Sequence, residues 1–179
     1  MSLRRSGINP DGLKDLHRIV LTTDGTVTDI LEAYFRERML VVALHQELIA
    51  PKALAAPHQA ALRFAPGDEG QALIREILLR GEISDSCHLY ATSAIAIDRL
   101  SPEMRSQLLE LKQPIGQLLL EQRIPTFKEI VDVHREPAGP LATYFGIAQT
   151  APMLCRTYVM SIDQRPAMVI TEKLPEFGR

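Results

Sequence analysis

A chain of 179 residues is near the size of one domain and long enough to bury a substantial core, and 46% hydrophobic with 23% charged residues describes an ordinary globular protein. Lys and Arg number 20 against 22 Asp and Glu, a formal charge of −2, and no basic run exceeds Arg4-Arg5, which excludes the broad cationic footprint of a nucleic-acid binder. No apolar run approaches the ~20 residues of a membrane span, no h-region marks a signal peptide, and two distant cysteines, Cys87 and Cys155, suit reduced thiols in a cytoplasm.

Residues 1–12, with Arg4, Arg5, Gly7, Asn9, Pro10 and Gly12, read as an N-terminal arm, and residues 13–179 as a single domain. After the Asp24-Gly25 turn, Thr26 is a candidate N-cap for a helix whose apolar face is Val27, Ile30, Leu31, Tyr34 and Phe35. Arg38 to Ile49 is apolar on both faces until Pro51 stops it, as expected of a strand inside a sheet. Pro51 to Gly70 is a connection with room for a short helical turn. Ala72 to Arg80 and Cys87 to Ile97 form an antiparallel pair about the turn-prone Gly81 to Asp85. Ser101-Pro102-Glu103 starts a helix carrying Met104, Leu108, Leu109 and Leu111, and Pro114-Ile115-Gly116 starts another. Thr126 to His134 alternates Phe127, Glu129, Val131 and Val133 against Lys128, Ile130, Asp132 and His134, a half-buried strand. Leu154 to Ile162 and Ala167 to Leu174 flank Asp163-Gln164-Arg165-Pro166 as a second hairpin. The predicted fold is α+β, a single mainly antiparallel sheet with helices in its connections.

Alternation through the last strand puts Glu172 on the face of Met168, Ile170 and Leu174. Either the strand frays at Lys173-Leu174-Pro175 and the carboxylate is in water, or it is buried and needs a partner, because an unpaired charge away from water costs several kcal/mol. Arg75 shares its face with Leu73, Ile77 and Leu79 and takes the same two readings; together the two residues make a structural salt bridge or a ligand clamp. Arg156, beside Leu154, Tyr158 and Met160, is a further inward cation or one that snorkels to the sheet edge. Gln113-Pro114-Ile115-Gly116 offers free backbone N–H groups to an anion, or merely begins a turn. His17, His45, His58, His88 and His134 show no HExxH or i, i+4 spacing, and there is no GxSxG, phosphate loop or GxGxxG, so neither a metal site nor nucleophilic or nucleotide-dependent chemistry is expected.

Three runs, Ile74 to Leu79, Gln113 to Gly116 and Met168 to Pro175, resemble in order and spacing chorismate pyruvate-lyase and its related families, a likeness spanning roughly residues 13 to 175. The resemblance implies an antiparallel sheet with an enclosed ligand site and conversion of chorismate to 4-hydroxybenzoate and pyruvate without metal or cofactor, in service of a quinone or phenolic product. By motif it implies that Arg75 binds the ring carboxylate with help from the Ile115 N–H, that Glu172 contacts the ring 4-hydroxyl, and that the backbone of Val27 faces the ligand. Arg75 and Glu172 are then the catalytic residues, at opposite ends of an aromatic ligand rather than touching. A second arginine found in a bacterial lyase of this kind is matched here by Thr92, which leaves the enolpyruvyl carboxylate to Arg156 or Lys128. Two other readings are a non-catalytic effector-binding domain of the same fold and a chorismate enzyme with another aromatic product. Regulators with this fold carry an N-terminal DNA-binding domain, for which residues 1–12 are too few, so a free-standing enzyme is expected.

Overall fold

Six runs rich in β-branched and large apolar side chains become β1 (Met39–Ile49), β2 (Ala72–Gly81), β3 (Cys87–Ala96), β4 (Thr126–Pro137), β5 (Pro152–Ile162) and β6 (Arg165–Pro175). They form one sheet in the order β1-β2-β3-β6-β5-β4, and every neighbouring pair is antiparallel. The structure, a computed structural model, describes Ile8 and residues 12–110 and 113–176. The helices lie in the connections: α1 (Asp15–Thr22), α2 (Val27–Phe35), α3 (Ala56–Ala61), α4 (Pro102–Leu109), α5 (Ile115–Glu121) and α6 (Ala142–Phe145). The α+β reading with a mainly antiparallel sheet is borne out. Of residues 1–12 only Ile8 and Gly12 fall within the described residues, and Ile8 packs into the core.

Local signals account for most boundaries. Ser101 caps α4 by accepting a hydrogen bond from the Met104 N–H at 3.2 Å, with Pro102 at the first helical position. Thr26 stands at the N-cap of α2, but its side chain makes no capping bond. The β5–β6 turn is the two-residue Asp163-Gln164, both at positive φ (49° and 62°), the primed geometry that follows the twist of the flanking strands. α1 was not foreseen. Its buried residues Leu16, Val20 and Leu21 do carry the helical period, although buried His17 interrupts the apolar stripe.

Two strands depart from their expected placement. β1 lies at the sheet edge rather than inside it: a bulge between Ala43 and His45 breaks its alternation, and its second half is largely exposed. In β4 the register shifts between Ile130 and Asp132, leaving Val131 unpaired. Lys128 and Ile130 therefore share a face with Val133, not with Asp132 and His134 as unbroken alternation requires.

One sheet face is covered by two helix pairs. α1 and α2 pack Leu16, Val20, Leu21, Val27 and Leu31 over Leu79, Leu89, Leu154 and Leu174. α4 and α5 pack Met104, Leu108, Leu118 and Leu119 over Leu73, Ile95, Met160 and Met168. The two clusters meet along a seam, where Gly116 of α5 approaches Thr26 so closely that an added Cβ would stand 2.7 Å from the threonine methyl. Glycine is needed there by packing.

Glu37, between α2 and β1, ties down the β2–β3 turn. Its carboxylate accepts the N–H groups of Ile83 and Ser84, each at 2.8 Å, and lies 3.6 Å from His88. A Cβ on Gly81 would clash with it. These bonds, those to Ser84 foremost, hold its pKa at about 2 against an ordinary 4.5. A carboxyl with a depressed native pKa contributes stability that is complete above its unfolded value and drains away as the pH falls through the native one. Glu37→Gln is therefore expected to lower the thermal midpoint at pH 7, and the gap from the parent should close as the pH is taken from 4.5 towards 2.

Candidate active site

Strand register places the charged side chains at the seam. Arg75 of β2 pairs with Ser93, Ser93 with Ile170, Ile170 with Tyr158 and Tyr158 with Ile130, one row across five strands. The adjacent row runs Ile77, Ala91, Glu172, Arg156 and Val133. Each side chain in these rows faces the helices, and the seam falls where neither helix pair covers them fully.

The resulting cavity has a volume of about 200 Å³ and is lined by Arg75, Ile77, Ala91, Ser93, Tyr158, Ile170 and Glu172 from the sheet, by Thr26, Val27 and Thr28 at the start of α2, and by Ile115, Gly116 and Leu119 of α5. An apolar cavity of roughly 150 Å³ takes benzene, so this one suits a ligand built on a single six-membered ring. Lys128 and Asp24 also reach its wall. Val27 and Ile115 are the first helical residues of α2 and α5, and helix starts leave their backbone N–H groups without intrahelical acceptors.

Arg75 is 1% exposed and donates one hydrogen bond, from Nη2 to the Gln113 carbonyl at 3.2 Å. Its Nε and Nη1 have no partner among the described residues. Burial pulls its pKa down to about 10, so the guanidinium stays charged at neutral pH. A buried cation with two unanswered N–H groups is an unfavourable arrangement that an incoming carboxylate would relieve with paired hydrogen bonds.

Glu172 is held differently. Arg156 Nε donates to its Oε2 at 2.6 Å and the Tyr158 hydroxyl donates to its Oε1 at 2.9 Å. Arg156, fully buried, also donates from Nη1 to the carbonyls of Val20 and, at 3.0 Å, of Thr23, tying α1 to the sheet. Burial, and then the Glu172 charge, push the Tyr158 phenol well above its ordinary pKa, so it remains a donor.

Arg75, Glu172, Val27 and Ile115 all line this one cavity. Arg75 and Glu172 make no ion pair with each other; the Glu172 salt bridge is with Arg156. Arg156, anticipated as a ligand contact, is not part of the cavity wall, because Glu172 and two carbonyls engage its guanidinium behind the site. Thr92 does not occupy the place considered for a second cation: it lies in the row of Glu76 and Thr171, on the opposite face of the sheet, and Ala91 and Ser93 face the cavity. The role of Tyr158 goes beyond what its place on the inward face of Arg156 implies, and the signal for it in the sequence is a phenol two residues from an inward arginine. On the far face, His134, Glu136 and Cys155 bring ligand atoms within 4.8 Å of one another, but Lys173 Nζ already lies 2.6 Å from Glu136. No helix among the described residues is long and apolar enough to cross a membrane.

The family described as chorismate pyruvate-lyase Rv2949c-like matches residues 21–177. The chain is 34% identical over 118 residues to a chorismate pyruvate-lyase of Mycobacterium leprae, covering 65% of this chain and 52% of that protein, so it spans about half the length of that relative. It is 29% identical over 158 residues to a chorismate pyruvate-lyase of Mycobacterium tuberculosis, covering 87% of this chain and 77% of that one. Among solved structures it is similar to PhnF from Mycobacterium smegmatis (TM-score 0.65, 11% identity, 86% of this chain and 65% of that chain). It is also similar to the C-terminal domain of the histidine utilization repressor from Pseudomonas syringae (TM-score 0.60, 17% identity, 79% and 98%). At such identities these two likenesses concern the fold alone.

Proposed function

Because the chain belongs to the chorismate pyruvate-lyase Rv2949c-like family, we propose that it converts chorismate to 4-hydroxybenzoate and pyruvate. The observation that carries this reading is the pairing of an unsatisfied buried Arg75 with a fixed Glu172 carboxylate across one ring-sized cavity. Arg75 binds the ring carboxylate, assisted by the Ile115 N–H, and the backbone at Val27 closes the other side. Glu172 accepts the hydrogen bond of the hydroxyl at C4, para to that carboxylate; its two oxygens keep lone pairs free beyond those used by Arg156 and Tyr158.

The reaction breaks the C3–O bond and removes the C4 proton; the ring aromatises to 4-hydroxybenzoate and the enolpyruvyl group leaves as pyruvate. Aromatisation supplies the driving force, so the protein's contribution is to hold one reactive conformer and stabilise developing charge in a water-poor site. Chorismate is small and soluble, in keeping with a cytoplasmic enzyme that needs no nucleic-acid partner.

Incubating the protein with chorismate and no added metal is expected to yield 4-hydroxybenzoate and pyruvate in equal amounts above the spontaneous background. The fold shared with the effector domain of PhnF favours a specific second reading, a ligand-binding domain without turnover. Tight 4-hydroxybenzoate binding with no product from chorismate would select it, and a different aromatic product would point to another chorismate enzyme.

A further inference from the structure

We propose that Lys128 is the specificity-determining anchor for the second carboxylate of a dianionic ligand, the one carried on the side chain at C3. The inference rests on the lyase reading for the identity of the ring but on separate residues. Among the described residues, four charged side chains line the cavity: Asp24, Arg75, Lys128 and Glu172. Asp24 is exposed, at the rim, and Glu172 is already matched by Arg156. Arg75 answers one carboxylate. A ligand with two needs another cation in the same wall, and Lys128 supplies it.

Geometry places Lys128 at the correct end. It stands on β4, four strand positions from Arg75 on β2, which is ~19 Å between backbones at ordinary strand spacing. The long stems of both residues bring their cations to one cavity. The Lys128 ammonium sits 4.6 Å from the centre of the Tyr158 ring, and the hydroxyl of that ring is bonded to Glu172. Lys128 is thus near the Glu172 end, away from Arg75. In chorismate the enolpyruvyl ether leaves C3, next to the C4 hydroxyl assigned to Glu172 and remote from the C1 carboxylate assigned to Arg75. The side-chain carboxylate and Lys128 fall together.

The present bonding of Lys128 leaves it available. Its Nζ donates to the Gly25 carbonyl at 2.8 Å and makes no salt bridge among the described residues. Burial, and then the Arg156 charge, lower its pKa, the direction expected of a cation that lacks a full counter-charge. The β4 bulge turns it to the cavity on the same face as Val133.

The test compares two ligands of the intact chain by calorimetry: 4-hydroxybenzoate, with one carboxylate, and 3-(carboxymethoxy)-4-hydroxybenzoate, which adds the second at the position of the enolpyruvyl group. Lys128→Gln is expected to weaken the dicarboxylate by about 10- to 100-fold, the worth of one charge-assisted contact, and to leave 4-hydroxybenzoate within about twofold. Lys128→Arg should recover part of the dicarboxylate affinity. Equal weakening of both ligands would mean that Lys128 only braces Gly25, and no weakening, or failure of the parent to bind either, would equally overturn the assignment. If Lys128→Gln shows the selective loss while the parent makes no product from chorismate, the lyase reading fails and the Lys128 assignment stands.

Discussion

Arg75→Met is expected to lower kcat/KM for chorismate by about 10²- to 10³-fold, because the ring carboxylate would be left in an apolar cavity without its charged partner, a loss of roughly 2–5 kcal/mol. The same substitution should leave the thermal midpoint unchanged or raise it. Arg75 is 1% exposed, makes one hydrogen bond and leaves Nε and Nη1 unanswered, so the folded protein carries the desolvation penalty of a cation with little return. Methionine fills much of the same volume without that penalty. At roughly 2–4 °C per kcal/mol for a chain of this size, even partial relief is measurable by calorimetry. Activity loss with a stable fold is the mark of a group kept for its ligand. A midpoint that fell in step with activity would instead make Arg75 a structural residue.

Glu172→Gln should behave in the opposite way with respect to stability. Turnover is lost with the acceptor for the C4 hydroxyl, and the fold also suffers, because Arg156 is left fully buried without its counter-charge. Breaking one partner of such a pair costs about 3–5 kcal/mol, a drop on the order of 10 °C in midpoint. Arg156→Met should cost about as much. The double substitution Glu172→Gln/Arg156→Met should lose less than the sum, since neither residue is then left with a stranded charge. Urea unfolding of the four proteins measures the coupling. Strict additivity would show that the 2.6 Å contact contributes nothing beyond its two halves. Arg156 accordingly acts as a positioning residue, fixing the carboxylate that meets the ligand.

Much of this site was legible because a strand's period is two, and one face of an antiparallel sheet then collects residues from every strand. Arg75 and Glu172 could be placed on one face from Leu73, Ile77, Met168 and Ile170 alone. The pairing partner of Glu172 was not legible in the same way. Both arginines face the same side, and only the register, which puts Arg156 directly opposite Glu172 and Arg75 opposite Ser93, decides which of them answers the acid. Thr92 failed for the complementary reason: a one-residue offset in matching a strand moves a position to the other face. Lys128 and Val133 share a face only through the bulge at Val131, which alternation cannot foresee. α1 was missed because its eight residues bury a histidine within an otherwise apolar stripe.

The bulge in β4 also bears on how such a cavity changes over evolutionary time. β4 is an edge strand, paired with β5 alone, so a slip in its register disturbs one neighbour and leaves the sheet interior intact. The residues flanking Lys128 are Phe127 and Glu129, both exposed on the other side of the strand. A single-residue insertion or deletion between Thr126 and the bulge, absorbed at Val131, would bring an aromatic ring or an acid to the wall in place of the ammonium. The charge of the acceptable ligand is thereby open to revision by length variation at one sheet edge, without a substitution in the buried core.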